Sequence, residues 1–248
     1  MFGWQSASRP FAAYPRLKNS VEVNLGYVLA LALDTATAGV VVGVVEVGGK
    51  GAQVLAERRT SGPPRHGETV APAVASVLAE VGCAPGALAA VVVGTGPGPF
   101  TGLRVGMVSA AALADALGVP VYGVCSLDAV ALGLPERPGT TVVATDARRR
   151  EVYWAIYSDS ERIEGPHVSS PADLLDRLRG GADGRMVGAG AVLYDLPGAV
   201  AAGPTAAGLV ASAGAALVDG RPAAPLRAAY LRRPDAVELT ARAPSSGS

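Results

Sequence analysis

Two aspartates and one glycine-rich loop carry the residue types and spacing that could act on a phosphate. Asp34 ends the apolar run VLALAL (28–33) and opens DTATAG, where Thr35 and Thr37 follow the carboxylate. Asp146 ends TVVATD (141–146) in the same way. A strand end that presents a carboxylate and hydroxyls suits a metal-bound phosphate. The plain alternative is a turn-forming Asp, because its side chain hydrogen-bonds the backbone that follows. The residue types leave both readings open. Between the aspartates, VVVGTGPGPFTGLRVG places Gly94, Gly96 and Gly98 after an apolar strand and ahead of a helix, with Thr101 as its expected N-cap. Glycines that let backbone N–H groups approach closely, beside a helix N-terminus, make a phosphate cradle. The loop is not a Walker loop, because no Lys-Ser/Thr follows, nor a dinucleotide fingerprint, because Pro99 occupies the sixth position from Gly94. Pro97 and Pro99 also remove two donors. Nucleotide contact and a purely structural turn stand level here.

Other reactive side chains are sparse. His66 opens HGETVAP, but the position four residues on, where a second helical metal ligand would sit, is Val70. His66 is therefore read as a capping or surface residue, and His167 as a lone residue at a strand end. No G-x-S-x-G occurs, and Cys83 and Cys125 lie in apolar contexts without C-x-x-C spacing, as buried thiols of a reducing cytoplasm do. DARRRE (146–151) puts three arginines at an expected hairpin tip, read either as a solvated turn or as a small contact with RNA or phosphate. After the glycine loop, Gly102, Gly106, Ala110 and Ala114 recur every fourth residue. Such a stripe lets another backbone come close. With Leu103, Met107 and Leu117 available for burial, the stripe is expected to face a partner helix.

These residues need elements to hold them. The 248 residues are 50% apolar and 17% charged with zero formal net charge, enough for a real core and without the basic excess of a protein that grips nucleic acid unaided. Residues 198–218 carry no charge, but they are rich in Ala and Gly and cut by Pro204, so they read as a loop and a small-residue helix rather than a membrane span. Residues 1–27 are read as a disordered extension or an overcalled start, and 241–248 as a frayed tail. From Val28 the pattern is strand, Asp, two strands, helix, strand, glycines, helix, and after a seam at 135–139 it begins again. Asp34 matches Asp146 and GTGPG matches the shorter GAG at 188–190. The expected architecture is α/β, a duplicated β-β-β-α-β-α unit forming a first lobe at 28–134 and a second at 139–240, with a cleft between.

LALDTATAGVVVGVVE, RHGETVAPAVASVLAEVG, VVVGTGPGPFTGLRVGMVSAAALADALGVPVYGVCSLDAVA, VVATDARRREVYWAIY and APLRAAYLRRPDA occur in that order between about Val28 and Glu238. Together they resemble the TsaB (YeaZ) family, bacterial components of the machinery that makes threonylcarbamoyladenosine in transfer RNA. The resemblance implies the two-lobed fold of actin, sugar kinases and Hsp70 (the ASKHA fold), in a cytoplasmic, non-catalytic paralogue of the catalytic subunit TsaD. It implies pairing with TsaD through first-lobe helices, here 66–82 and 102–117, which makes His66, Val70, Gly102, Gly106, Ala110 and Ala114 the interface candidates. TsaE joins the pair, while TsaC supplies threonylcarbamoyl adenylate. The modified adenosine lies next to the anticodon of tRNAs that read codons beginning with A, and tRNA is reached only through the complex. TsaD holds its metal through two histidines spaced i, i+4. Here Val70 takes the second place, so no metal, catalytic residue or required cofactor is expected in this chain. ATP or ADP is placed at the heterodimer boundary, a homodimer is the state implied when the chain is alone, and no membrane is involved. Pro99 departs from the family, in which Ser is commoner, and removes a donor. Two other readings stand beside this one: an ATP-dependent kinase of the same fold, with Asp34 and Asp146 handling magnesium, and a metallopeptidase.

Overall fold

The computed structural model describes residues 27–48, 51–60, 66–135, 139–179 and 184–232, without the side chain of His66. The extension expected at 1–27 lies outside the described residues except for Tyr27, which begins the first strand; the tail at 241–248 lies outside them too.

Period-two alternation in buried strands decides what covers each face. Strand β1 (Tyr27–Asp34) turns Leu29, Leu31 and Leu33 to one side and Ala30 and Ala32 to the other. The leucine side is covered by α1 (His66–Val81) and α2 (Phe100–Leu117), and the alanine side by α6 (Ala206–Val218). Each fully buried leucine contributes roughly 1.5–3 kcal/mol, while the alanines let α6 lie close to the sheet. With β2 (Val40–Gly48), β3 (Gly51–Thr60), β4 (Ala90–Gly94) and β5 (Val121–Val124), the first sheet has the order β3-β2-β1-β4-β5. Its first three strands are antiparallel, and β4 and β5 run parallel to β1.

The second sheet repeats the plan one strand short. Strands β6 (Thr140–Asp146), β7 (Val152–Ser158), β8 (Glu161–Ser169) and β9 (Arg185–Val187) take the order β8-β7-β6-β9, with β9 parallel to β6. One face packs under α4 (Pro171–Leu178) and the short α5 (Ala189–Leu193). Ser170 caps α4 by accepting a hydrogen bond from Asp173 N at 3.1 Å, with Pro171 in the first turn.

The opposite face of the second sheet is covered by α3 (Ser126–Leu132), whose Leu127 and Val130 pack with Val143, Ala155 and Tyr157. The lobes therefore exchange helices. Helix α3, from the first half of the chain, completes the second core, and α6, from the second half, completes the first. Lobe bounds of 28–134 and 139–240, as expected from the sequence, keep each helix with its own lobe. The structure differs because α3 turns Leu127 and Val130 to the second sheet and Ala129 to α6, where small residues let the two helices cross closely: a Cβ on Gly208 of α6 would overlap the Ala129 carbonyl of α3. Asp128 on α3 also bonds across the lobes, accepting from Tyr157 Oη at 2.8 Å and from Arg162 at 3.1 Å. Helix α2 is long and apolar enough to cross a membrane by length and composition, but its inner face is seated on the first sheet.

Candidate functional site

The glycine loop (94–99) connects β4 to α2 and lies beside the end of β1. Asp34 does not face a cleft: it is fully buried. Its Oδ1 accepts from Ala36 N at 2.9 Å, and its Oδ2 accepts from Ser126 Oγ at 2.6 Å, across 92 positions of sequence. Ser126 in turn accepts from Gly96 N at 3.2 Å through its hydroxyl and donates its own N–H to Gly96 O at 2.7 Å. Gly94 has to be glycine because a Cβ there would overlap the Asp34 carboxylate. Burial pushes the Asp34 carboxyl up to about 6 from 3.8, against the lowering effect of the Ser126 and Ala36 hydrogen bonds.

Thr35, 1% exposed, donates from Oγ1 to Gly102 O in the first turn of α2 at 2.6 Å. Thr95 N donates to Val124 O at 2.8 Å and Thr95 Oγ1 to the same carbonyl at 3.0 Å. Gly98 packs against the backbone of Ala36. The amides of Thr95 and Gly96 are thus engaged within the protein, and Pro97 and Pro99 have none. These bonds brace the first half of the loop as a turn. Asp34, Thr35, Gly94, Gly96 and Gly98 meet as one polar knot joining β1, α2 and α3. Thr101 stands apart. It is exposed inside the helix, and the N-cap position is Pro99, which caps without a side-chain bond.

Asp146 is half-buried and serves its own turn. Oδ1 accepts from Arg148 N at 2.8 Å and from Tyr194 Oη at 3.1 Å, and Oδ2 lies 3.6 Å from the Arg148 guanidinium. Among the described residues no group of three or more His, Cys, Asp or Glu could hold a metal. Cys83 and Cys125 are free thiols, and burial, with Asp128 adding to it, pushes Cys125 up to about 11.

The small-residue stripe faces inward, correcting the expectation of an exposed partner groove. Gly102, Gly106, Ala110 and Ala114 are all buried, and a Cβ on Gly106 would overlap Thr35 Oγ1. The close approach that glycine and alanine permit is used by the protein's own β1 turn. Val70 is likewise a core residue, 4% exposed, and His66 is the first residue of α1, its side chain outside the described atoms. The outward positions of these helices include Ala71, Ala75, Ala79 and Glu80 on α1 and Arg104, Val108, Ala112, Asp115 and Ala116 on α2, with Val108 66% exposed.

A segment that sequence periodicity missed crosses this region. After α6 the chain runs back along the β5 edge, where Tyr122 Oη donates to Arg221 O at 2.9 Å. It then passes the glycine loop, where Ala229 N donates to Thr95 O at 2.8 Å. Tyr230 packs on Phe100 with ring centroids 5.1 Å apart, and its hydroxyl accepts from Arg104 Nε at 3.0 Å. The Arg104 guanidinium itself lies 3.7 Å above the Phe100 ring. Arg232 reaches the second lobe, donating to Ala147 O at 2.8 Å and pairing with Glu151. The strap has no regular secondary structure and so no period. Its only signal was its place in the family resemblance.

The family model described as TsaD, tRNA N6-adenosine threonylcarbamoyltransferase, matches residues 54–218. An uncharacterised protein of Mycobacterium leprae is 49% identical over 86% of this chain, which spans only 57% of that relative. One from Mycobacterium tuberculosis is 48% identical over 84% of this chain and 94% of its own length. The Haemophilus influenzae protein named tRNA threonylcarbamoyladenosine biosynthesis protein TsaB is 31% identical over 60% of this chain and 67% of its own. Among solved structures, YeaZ from Pseudomonas aeruginosa superposes with a TM-score of 0.64 at 28% identity, covering 79% of this chain and 95% of that one. With its two exchanged-helix lobes on the actin, sugar-kinase and Hsp70 plan, this chain belongs to the TsaB (YeaZ) family.

Proposed function

We propose that this chain is a non-catalytic subunit in the synthesis of threonylcarbamoyladenosine in tRNA, acting as partner and scaffold of a TsaD-like catalytic subunit. In this reading a TsaE-like ATPase joins the pair, and ATP or ADP sits at the boundary between subunits rather than in this chain's own loop. The same outer surface of α1 and α2 serves self-association when the catalytic subunit is absent.

The observation that carries the reading is that outer surface. Two neighbouring helices present Ala71, Ala75, Ala79, Val108, Ala112 and Ala116 to solvent, small and apolar side chains set among the exposed charges of Glu80, Arg104 and Asp115, which is a surface another helix pair can approach closely. Supporting it, the Gly96 amide and the Thr95 hydroxyl of the glycine loop bond to Ser126 and Val124 within the protein. The kinase reading assigns magnesium to Asp34, and that carboxylate is buried in the polar knot.

Val108→Arg places a guanidinium at the centre of the proposed contact, where burying an unpaired charge is costly. Association with the catalytic subunit, measured by calorimetry, is expected to weaken by about 100-fold or more while unfolding is unchanged. Unaltered association overturns the interface assignment.

A further inference from the structure

Arg148, Arg149 and Arg150 form the tip of the β6–β7 turn, all exposed and all with left-handed backbone at φ 61°, 52° and 62°. Folding alone does not ask for arginine there, since glycine or asparagine would make such a turn with less strain. Beside the tip lies the aromatic platform, where Tyr230 is 44% exposed over Phe100 and Arg104 is stacked on the same ring. The two are held together by Arg232, two residues or ~7 Å of extended chain beyond Tyr230, which binds Ala147 O and Glu151 at the base of the tip. Arg148 pairs with Asp146 and Arg232 with Glu151 at the base of the tip, and Arg104 lies on the platform beside it, so cations concentrate here in a chain whose formal net charge is zero.

We propose that this tip and platform form a contact surface for single-stranded RNA, the arginine tip taking the phosphate backbone and Tyr230 an unstacked base. Guanidinium forks match phosphate oxygens, and an exposed ring backed by an aromatic and an arginine is the arrangement on which bases stack. The loop amides of Thr95 and Gly96 are bonded within the protein, so the contact is placed on the arginine tip and the Tyr230 ring rather than in the loop. An acidic protein segment would use the arginines and leave the face of Tyr230 without a role. The choice of RNA over other polyanions rests on the reading given under Proposed function.

The test uses the full chain and a fluorescein-labelled mixed-sequence RNA of about 20 nucleotides, followed by anisotropy between about 25 and 200 mM salt. The triple variant R148N/R149N/R150N removes the charge while keeping a residue that accepts left-handed backbone. It is expected to bind at least ~10-fold more weakly at low salt and to flatten the log–log salt slope by about 2, at ~0.7 per phosphate contact. Tyr230→Leu is expected to weaken binding ~5-fold or more without changing the slope, and Tyr230→Phe to bind like the parent. Urea unfolding of each variant establishes that it is folded. Parental binding by the triple variant, or by Tyr230→Leu, overturns the proposal. So does displacement of the RNA by polyglutamate at equal charge, which would assign the surface to an acidic protein. Modified-nucleoside content after gene deletion separates the two readings. Loss of the nucleoside alongside unchanged RNA binding by the triple variant refutes the surface alone. An intact nucleoside with the expected RNA binding refutes the functional reading and supports the surface.

Discussion

Asp34→Asn is the sharpest probe of the polar knot. The carboxyl titrates at 3.8 in its ordinary state and at about 6 in the folded protein, because burial disfavours the charged form more than its two hydrogen bonds favour it. A raised folded value means that the native state holds the proton more tightly than the unfolded chain does. The favourable contribution is therefore complete below about pH 4 and is lost as the pH rises through 6. At 1.36 kcal/mol per unit, ionising Asp34 costs the folded protein roughly 3 kcal/mol across that window. Asparagine keeps an acceptor for Ala36 N and cannot ionise, so the variant lacks this loss. Reorienting the Ser126 hydroxyl costs it about 1 kcal/mol, leaving the variant roughly 2 kcal/mol more stable than the parent at pH 7 and less stable at pH 4. Urea unfolding of both proteins at half-unit steps from pH 4 to 7.5 gives the difference directly, with all other carboxylates cancelling. A difference that stays flat over that range would refute the placement of an ionised carboxylate in a dry knot.

Two further outcomes test neighbouring features. Gly106→Val drives a side chain into Thr35 Oγ1 and is expected to cost about 1–3 kcal/mol in urea unfolding, whereas Ala112→Val on the outer face stays within about 0.5 kcal/mol; equal stability of the two variants would show that the stripe does not face inward. Native Cys125, pushed up to about 11, is expected to react with iodoacetamide at pH 8 about 100-fold more slowly than the same thiol in the urea-unfolded chain, and equal rates would contradict its burial.

Much of the site could be located from the sequence and little of it could be oriented. The strand before Asp34, the glycine loop and the helix after it stand close to where the residue pattern puts them, because apolar runs and the glycine break between them are local signals, although α2 begins at Phe100 without the expected Thr101 cap. Ser170 and Pro171 start α4 through a bond only three residues long. The role of Asp34 depends on Ser126, and that of Tyr230 on Arg104, 126 positions away. No short-range pattern records either pairing.

The chain's own order of residues determined the duplicated plan, the alternation of large and small side chains along β1, and the all-small face of α2. Tertiary structure alone decided which way that face turned, which lobe received α3 and α6, and that the Thr95 and Gly96 amides of the glycine loop were bonded within the protein. The physical reason is that periodicity reports only a residue's relation to its near neighbours. A carboxylate becomes a ligand site or a buried brace according to what distant chain packs upon it, and a stripe of small side chains accepts whatever segment the fold lays against it, here Thr35 in the turn that follows β1.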